Sequence, residues 1–293
     1  MRWYALTNGF QLIKESKMEN LEIKVQRAIK LIKSAGADGS TVEVAYSGGK
    51  DSDVILELTR MAGIKYRAIY KNTTIDPAGT IKHAIENGAE ILQPKKSFFE
   101  LIAMNGAPNR FSRHCCRFLK EYKVLDKVIM GVRKAESTKR KARYNEPTEC
   151  RFYGSKKQHV EAFYPILEWS DDDVVAFIES RNIKVHKLYY RDDGSIDPKR
   201  RLGCMCCPLV SLKKRLEEFK KHPNMVKVYI KAQQKFRDTH PTSKNTLQYA
   251  NVYDWFVREA FYDRQYEYEQ SRDGLFGNID SKQFLMDYFH ITS

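Results

Sequence analysis

Short apolar runs alternate with amphipathic stretches through the first half of the chain. Four of the runs are typical of buried strands: "VEVAY" (42–46), "YRAIY" (66–70), "AEILQ" (89–93) and "KVIMGV" (127–132). The stretches between them have helical spacing, and two of them, "DVILELTRMAG" and "SFFELIAMNG", end at a glycine. Alternation of this kind predicts an α/β fold with a doubly wound, mostly parallel sheet.

Helical patterns flank this α/β region on both sides. The stretch "MENLEIKVQRAIKLIKSAG" before the first strand predicts an N-terminal helix, and "SDDDVVAFIESRN" predicts a later helix capped by Ser170. Beyond Pro208 the chain is helical, charged and rich in aromatic residues. We therefore predict an N-terminal helical segment at 1–40, an α/β domain at 41–215 and a helical C-terminal subdomain at 216–293.

Charge and cysteine content narrow the class of protein. The chain has 51 Lys+Arg against 37 Asp+Glu, a formal charge of +14, which favours anionic partners such as nucleotides or nucleic acid. No window approaches the roughly 18 apolar residues that span a bilayer, and the first residues do not resemble a secretory signal. We expect a cytoplasmic protein without a membrane partner, in which the cysteines serve as thiols or metal ligands.

The stretch "VAYSGGKDSD" joins a predicted strand to a predicted helix through glycines. Glycines allow the backbone to approach an anion closely, and successive N–H groups then point into one concavity at the helix N-terminus. Hydroxyls and an ammonium group add donors, and the first aspartate is expected to cap the helix or to orient Mg²⁺. The predicted anion-binding residues are Ser47, Gly48, Gly49, Lys50, Asp51 and Ser52. The spacing differs from that of the Walker-A loop.

The segment "SGGKDS" resembles the PP-loop of the adenine nucleotide α-hydrolase superfamily, which includes ATP pyrophosphatases and phosphoadenosine phosphosulfate (PAPS) reductases. Three further stretches resemble segments of the PAPS reductase-like family, in the expected order: "KNTTIDPAGT" (71–80), "GVRKAESTKR" (131–140) and "YPILEWSDDDVVAFI" (164–178). The resemblance covers residues 42 to about 210. It implies an adenine nucleotide α-hydrolase-like, Rossmann-like fold and makes 41–215 a PP-loop nucleotide-binding domain.

The resemblance also implies which residues seat the nucleotide. Besides the glycine-rich segment, these are Asn72, Thr73, Gly131, Arg133, Glu136 and Ser137. Guanidinium groups bind phosphate oxygens in a bidentate manner, so Arg133 and Arg140 are expected at the phosphates. With Lys50 and Asp51 they form the predicted catalytic set, and the cations are expected to stabilise the charge of the departing group.

Five of the six cysteines are concentrated in "HCCRFLK" and "GCMCCP". Cys204 and Cys207 form a C-x-x-C pair beside Gly203 and Pro208. Together with Cys115 and Cys116, they would supply four sulfur ligands to one metal centre. Such a set suits zinc or an iron–sulfur cluster, and the ligand count does not distinguish them. Cys150 is a further candidate that can replace one member of the pair.

Family resemblance favours the iron–sulfur interpretation. Sulfonucleotide reductases of the assimilatory type carry a C-C pair and a C-x-x-C that bind a 4Fe–4S cluster, and "CCRFLK" with "GCMCCP" resembles that arrangement. DNA-phosphorothioation PP-loop enzymes are also similar, with motifs that match Arg113, Cys115, Leu119 and Lys120. The resemblance therefore implies a 4Fe–4S cluster, with zinc as the alternative.

One difference from the reductases shapes the predicted reaction. Those enzymes attack sulfur with a cysteine near their C-terminus, whereas the last cysteine here is Cys207. We therefore predict an ATP pyrophosphatase or sulfurtransferase type of enzyme, which adenylates an acceptor, releases pyrophosphate and supports sulfur transfer. The alternatives are a PAPS or adenosine phosphosulfate reductase that uses thioredoxin, and a catalytically silent nucleotide-binding subunit of a nucleic-acid modification or defence complex.

This prediction implies a set of cofactors and partners. ATP or another adenine nucleotide and Mg²⁺ are expected at the PP-loop, because the loop would hold the β- and γ-phosphates. The sulfur donor is expected to be a cysteine desulfurase or a thioredoxin-like protein. A tRNA or DNA acceptor would account for the formal charge of +14.

Overall fold

A computed structural model describes residues 20–153, 158–260 and 280–291. The chain divides into two compact units, each assembled from three separate segments. The first, which we call the sheet unit, comprises Met1–Asn72, Pro77–Gln93 and Glu121–Leu202. The second, the helical unit, comprises Thr73–Asp76, Pro94–Lys120 and Gly203–Ser293.

The sheet unit contains one six-stranded sheet. Its strands are β1 (Val42–Tyr46), β2 (Tyr66–Lys71), β3 (Glu90–Leu92), β4 (Lys127–Ile129), β5 (Thr148–Tyr153) and β6 (Gln158–Phe163). The order across the sheet is β3-β2-β1-β4-β6-β5, and every pair is parallel except β5 with β6. The predicted α/β class with a mostly parallel sheet is thus confirmed.

Helices α1, α2, α3, α6 and α7 belong to the sheet unit. Their bounds are 20–35 for α1, then Lys50–Ala62, Thr80–Glu86, Thr138–Arg143 and Asp171–Ser180, with short 3-10 turns at Lys134–Glu136 and Lys187–Tyr189. Apolar residues of α1, α2 and α7 pack with β1 in one buried cluster. Since apolar residues on one face of each helix are removed from water, this packing accounts for the helical spacing read from the sequence.

The helical unit contains α4, α5 and the helices after the second cysteine segment. Their bounds are Phe98–Asn105 (α4), His114–Leu119 (α5), Leu212–Lys221 (α8), Pro223–Thr239 (α9), Lys244–Gln248 (α10), Val252–Trp255 (α11) and Ser281–Tyr288 (α12), with a π turn at Phe256–Ala260. Aromatic side chains dominate its core, where Phe219, Tyr229 and Phe256 lie within 6.0 Å of one another between ring centroids. Such edge-to-face pairs stabilise a core beyond the area that they bury.

Local signals in the sequence fix several helix ends. Gly63 ends α2 in the left-handed region at φ 69°, and Ser97 begins α4 in a capping box with Glu100. Ser170 begins α7 in a second capping box, in which its side chain accepts from the Asp173 N–H and the Asp173 carboxylate accepts from the Ser170 N–H. Ser170 therefore caps this helix, as predicted, and Asp173 completes the capping box.

Three features differ from the sequence-based expectation. Helix α2 begins at Lys50, within the glycine-rich segment, and β4 ends at Ile129, earlier than the predicted strand at 127–132. Strands β5 and β6 were not predicted, because their sequences, TECRFY and QHVEAF, contain no continuous apolar run. The aromatic stretch "NVYDWFVREAFYDRQYEYEQ" (251–270) lies outside the described residues from position 261 onward. None of the helices that the structure describes is both long and apolar enough to cross a membrane.

Candidate functional site

The segment Ser47–Ser52, which we call the glycine loop, connects β1 to α2 at the carboxyl edge of the sheet. Gly48 adopts φ +74°, and a Cβ atom at this position would lie 2.8 Å from Cγ2 of Thr80. Gly49 is the N-cap residue of α2 in an extended conformation, and its carbonyl accepts hydrogen bonds from the N–H groups of Ser52 and Asp53. A turn this tight requires glycine, and it places the positive end of α2 at the loop.

Lys50 carries the basic group of the glycine loop. Its side chain is 3% exposed, and its ammonium group donates a hydrogen bond of 2.8 Å to Oδ2 of Asp51. The same ammonium group lies 5.6 Å from the ring centroid of Tyr189. The hydroxyls of Ser47 and Ser52 lie 3.3 Å apart, and Ser52 Oγ donates to the Gly49 carbonyl. The loop is therefore held in shape by its own polar groups.

A polar cavity of about 210 Å³ opens at the glycine loop. Predicted residues from two segments line it: Ser47, Gly49, Lys50, Asp51, Ser52, Gly131, Glu136 and Arg140. The 189–202 region adds three residues that sequence reasoning did not select: Tyr189, Arg201 and Leu202. Anions bind at helix N-termini lined by basic side chains, so this cavity suits a phosphate group.

Arg133 lies beside the glycine loop with all of its nitrogen atoms engaged by protein acceptors. Nε donates to Asp51 Oδ1 at 2.7 Å, Nη2 donates to Asp171 Oδ1 at 2.8 Å, and Nη1 donates to the Trp169 carbonyl at 3.3 Å. Burial lowers the pKa of Arg133, but the two carboxylates outweigh it and raise the pKa overall. Arg133 therefore orients Asp51, and it lines a second polar cavity of about 260 Å³ that shares Lys50, Glu136 and Arg201 with the first.

Glu136 organises the other basic groups of the cavity. Arg140 Nη1 donates to the Glu136 carboxylate, and Arg201 Nη2 donates to the Glu136 carbonyl and lies 3.9 Å from Oε1. Half-exposed Arg140 and Arg201 are thereby held at the cavity wall. Gly131 is required where it lies, since a Cβ there would be 2.8 Å from the Asp51 carbonyl oxygen.

Tyr189 joins the 189–202 region to the glycine loop. Its hydroxyl accepts a hydrogen bond from the Leu202 N–H at 3.1 Å, and a Cβ atom on Gly49 would lie 3.1 Å from this hydroxyl. Burial raises the pKa of Tyr189 to about 12. The basic run "PKRRLG" could have pointed to Arg201, but the sequence gives no reason to prefer Tyr189 over Tyr190.

A buried trio of polar side chains lies directly behind the glycine loop. Asp53 on α2 accepts a hydrogen bond from the Tyr46 hydroxyl at the end of β1, and His83 Nε2 on α3 lies 3.0 Å from Asp53 Oδ1. Burial raises the pKa of Asp53, although the hydrogen bonds from His83 and Tyr46 oppose the shift. The trio ties one strand to two helices, and sequence reasoning did not select it.

Besides Arg133, which lines the second cavity, four predicted nucleotide-site residues do not line the glycine-loop cavity. Asn72 is buried and donates to the Gln93 side chain at 2.8 Å, and Gly48 packs on Thr80. Thr73, which belongs to the helical unit, is buried, and its N–H donates to Asp76 at 3.2 Å. Ser137 caps α6 by accepting from the Arg140 N–H at 3.2 Å. Their contacts are with other protein groups.

Four of the five predicted metal-binding cysteines belong to the helical unit. Cys115 and Cys116 are on α5, and Cys204 and Cys207 lie on the segment before α8, whereas Cys150 is exposed on β5 of the sheet unit. The hydrogen bond with Cys116, together with burial, raises the pKa of the Cys115 thiol, and burial raises that of Cys204.

Two of the cysteine side chains, those of Cys204 and Cys206, contact other protein groups. Cys204 Sγ donates to Thr73 Oγ1 at 3.5 Å and interacts with the Lys120 ammonium group. Cys206, which was not predicted as a ligand, is buried in the core with Sγ 3.2 Å from Met225 Sδ. Within the part of the chain that the structure describes, no group of three or more His, Cys, Asp or Glu side chains is placed to hold a metal ion. In the described residues the cysteine side chains are therefore not arranged as a Cys₄ centre, although the Cys115 thiol interacts with both Cys116 and Cys204.

Residues 41–210 of this chain match the phosphoadenosine phosphosulfate reductase domain family. The match covers the sheet and glycine loop, the cavity-lining residues and both cysteine segments. No curated protein sequence is significantly similar to the chain.

Solved structures with similar folds have low sequence identity. A PAPS reductase from Candida auris in a phosphate complex is 17% identical, with a TM-score of 0.44, over 64% of this chain and 94% of that one. The Candida glabrata FMN adenylyltransferase with FMN and the ATP analogue AMPCPP is 14% identical, with a TM-score of 0.39, over 60% of this chain. This chain spans 63% of the adenylyltransferase. Similarity at this level carries no argument about substrate.

Proposed function

Because the chain belongs to the phosphoadenosine phosphosulfate reductase domain family, we propose that it is an enzyme that binds ATP, or another adenine nucleotide, through its glycine loop. The observation that carries this proposal is the cavity at the N-terminus of α2, where Lys50, Arg140 and Arg201 converge. Three cationic side chains face two carboxylates, those of Asp51 and Glu136, so the lining has an excess of positive charge. The negative charge of a phosphate chain would balance this excess of positive charge.

The proposed reaction is adenylation of an acceptor. An acceptor oxygen attacks the α-phosphorus, the bond from that phosphorus to the bridging oxygen breaks, and pyrophosphate leaves with the electron pair. Lys50 and Arg140, with Arg201, are proposed to stabilise the charge that develops on the leaving pyrophosphate. Arg133 holds the Asp51 carboxylate in place for this reaction, since its three nitrogen atoms are bound to protein acceptors.

Mg²⁺ is the proposed metal of the nucleotide. Magnesium in such sites binds one or two carboxylates together with substrate phosphates, and it neutralises phosphate charge. Asp51 and Glu136 are the carboxylates in the cavity lining, so they would hold the ion. Each is also paired with a cation, and the nucleotide phosphates would compete for those cations.

Sulfur transfer is the proposed use of the adenylated acceptor. A sulfur nucleophile delivered by a cysteine desulfurase or a thioredoxin-like protein would displace AMP, and nucleic acid is the acceptor class that the formal charge of +14 favours. No step is assigned to an iron–sulfur cluster or zinc, because the cysteine side chains do not form a ligand set in the described residues. The 4Fe–4S cluster remains a prediction from the family resemblance, tested by iron and acid-labile sulfide after anaerobic purification.

Product analysis with labelled ATP tests the proposed reaction. With a mixed tRNA or DNA fraction as the acceptor, we expect exchange of labelled pyrophosphate into ATP, and release of pyrophosphate from ATP as the labelled AMP moiety is transferred to the acceptor. Lys50→Met should abolish both, whereas Lys65→Met, at an exposed position outside the cavity lining, should retain them. Nucleotide binding without either product would favour a catalytically silent subunit.

A sulfonucleotide reductase is the second candidate, because the matching family is defined by that activity. Sulfite release from PAPS or adenosine phosphosulfate in the presence of reduced thioredoxin would support it. That reaction needs a thiol that attacks sulfur, so Cys150→Ser and Cys206→Ser variants should show whether either residue is the nucleophile. The two candidates differ in product, since one releases pyrophosphate and the other sulfite.

A further inference from the structure

An apolar groove lies within the helical unit, on the exposed side of α9. Its volume is about 700 Å³, and it is formed by α9, the start of α11 and the last helix, α12. Aliphatic and thioether side chains make its floor: Val226, Ile230, Val252, Leu285, Met286 and Ile291. A groove of this size and composition is typical of a binding site, because covering its apolar surface removes that surface from water, which is energetically favourable.

Lysines border this groove along the length of α9. Lys227, Lys231 and Lys235 are exposed and spaced four residues apart, so they form one stripe on the helix surface. With a rise of 1.5 Å per residue, the stripe extends over about 12 Å. Lys282 adds a fourth ammonium group from α12, and Asp238 is the single carboxylate among the described lining residues. The groove therefore combines an apolar floor with a strongly positive rim.

We propose that this groove is a docking surface for an amphipathic helix of a partner protein, with apolar residues on one face and acidic residues beside them. The apolar face would lie on the partly exposed side chains of Ile230 and Met286, as in other helix-in-groove complexes. Carboxylates spaced four residues apart along that helix would match the spacing of Lys231 and Lys235. The proposal is independent of the function of the glycine loop.

Two other kinds of ligand match the groove less well. Nucleic acid binds cationic surfaces that offer aromatic rings for stacking, whereas Tyr253 is the one aromatic side chain among the described lining residues. An amphiphile with a single anionic head group would need its cations gathered at one end. Here the lysines are distributed over about 12 Å. An amphipathic helix matches both parts of the groove, because its apolar face suits the floor and its distributed acidic groups suit the rim.

Fluorescence anisotropy with designed peptides tests this docking surface in the full-length protein. The probe is a fluorescein-labelled peptide of about 15 residues, long enough to follow the lysine stripe, with leucine at helical spacing and glutamate at the flanking positions. One comparator replaces every glutamate by lysine, and a second scrambles the leucine positions while keeping the composition. We expect binding of the first peptide alone, with a Kd that rises with salt because ammonium–carboxylate attraction is screened.

Charge reversal on α9 is the decisive variant. The double substitution Lys231→Glu/Lys235→Glu should weaken binding of the glutamate peptide about tenfold or more, because repulsion replaces attraction along the rim. The matched control is Lys213→Glu/Lys214→Glu on α8, which reverses the same number of exposed lysines outside the groove and should leave the Kd within about twofold. Exposed lysines contribute little to folding, so both variants should fold.

Several outcomes would overturn the proposal. These are equal binding of the scrambled peptide, an equal loss in the α8 control, and no binding of the glutamate peptide. Displacement of the peptide by lower concentrations of a single-stranded oligonucleotide would assign the groove to nucleic acid instead. Displacement by lower concentrations of dodecanoate would assign it to an anionic amphiphile.

Discussion

Arg133 Nε donates a hydrogen bond to Asp51 Oδ1 at 2.7 Å, and this bond connects the segment after β4 to the first turn of α2. The Arg133 side chain is 1% exposed and its other nitrogen atoms bind Asp171 and the Trp169 carbonyl. Because a buried guanidinium without its acceptors is costly, this arrangement positions the glycine loop as well as the phosphate-binding groups.

Replacement of Arg133 should therefore affect folding and nucleotide binding together. For Arg133→Gln we expect a loss of about 3 kcal/mol in the free energy of unfolding, since two carboxylates lose a buried partner. Half-exposed Arg140 provides the matched comparison. Arg140→Gln should weaken ATP binding with a stability change within about 0.5 kcal/mol. Urea denaturation and calorimetric ATP titration of both variants measure this, and equal stabilities would contradict the positioning role.

Gly48 should be intolerant of any side chain. Gly48→Ala combines a positive φ of +74° with a Cβ 2.8 Å from Thr80 Cγ2, so we expect ATP binding to be lost and stability to fall. Gly39→Ala is the matched control, because Gly39 has φ +75° but no atom within 4 Å of its added Cβ. In the control, only the unfavourable backbone conformation lowers the free energy of unfolding, by about 1 kcal/mol. If both variants bind ATP equally, the contact with Thr80 is unimportant.

Removal of the Tyr189 hydroxyl should loosen the 189–202 region at the cavity. Tyr189→Phe leaves the Leu202 N–H without its acceptor at 3.1 Å, and we expect a loss of about 1–2 kcal/mol in stability and a higher Kd for ATP. Because the pKa of Tyr189 is raised to about 12, its contribution is complete below the tyrosine's ordinary value of 10.0 and is lost as pH rises toward 12. The difference in free energy of unfolding between wild type and Tyr189→Phe should therefore shrink above pH 10.

The buried Asp53 should make a His83 variant sensitive to pH. In His83→Ala the Asp53 carboxylate loses a partner at 3.0 Å, so burial will raise its pKa further. A carboxyl group with a raised pKa binds more protons when folded, so the variant should lose stability as pH rises above the ordinary value of 3.8 through the folded pKa. Thermal denaturation between pH 4 and 8, roughly the range over which such shifts appear, measures the slope. Asp53→Asn in the same background should flatten it.

Replacement by serine should distinguish cysteines that bind a metal from a cysteine that only packs in the core. Cys206 is buried beside Met225, so Cys206→Ser should lower stability by about 1–3 kcal/mol whether or not the protein contains metal. If a 4Fe–4S cluster forms, Cys204→Ser should abolish the bound iron and acid-labile sulfide, whereas the exposed Cys150→Ser should retain them. Iron loss in the Cys150 variant would make that residue a ligand.

Periodicity and local turn chemistry allowed much of the α/β frame to be predicted. The β1 run and the glycine loop are contiguous in sequence, so their meeting needed no information about long-range contacts. The same holds for Gly63 at the end of α2 and Ser170 at the start of α7, because caps involve residues three or four positions apart. Strands β5 and β6 were missed, because their pairing depends on packing at the sheet edge.

Local sequence patterns were sufficient to predict the family, the α/β class and the anion-binding loop, because each motif and each strand or helix depends on residues close together in the chain. The tertiary structure was needed to show which distant side chains meet at that loop. It engaged Arg133 with Asp51 and Asp171, brought Tyr189 and Arg201 to the cavity, and placed Asp53 against His83. Residue type alone does not specify such pairings, because they follow from how the strands and helices pack.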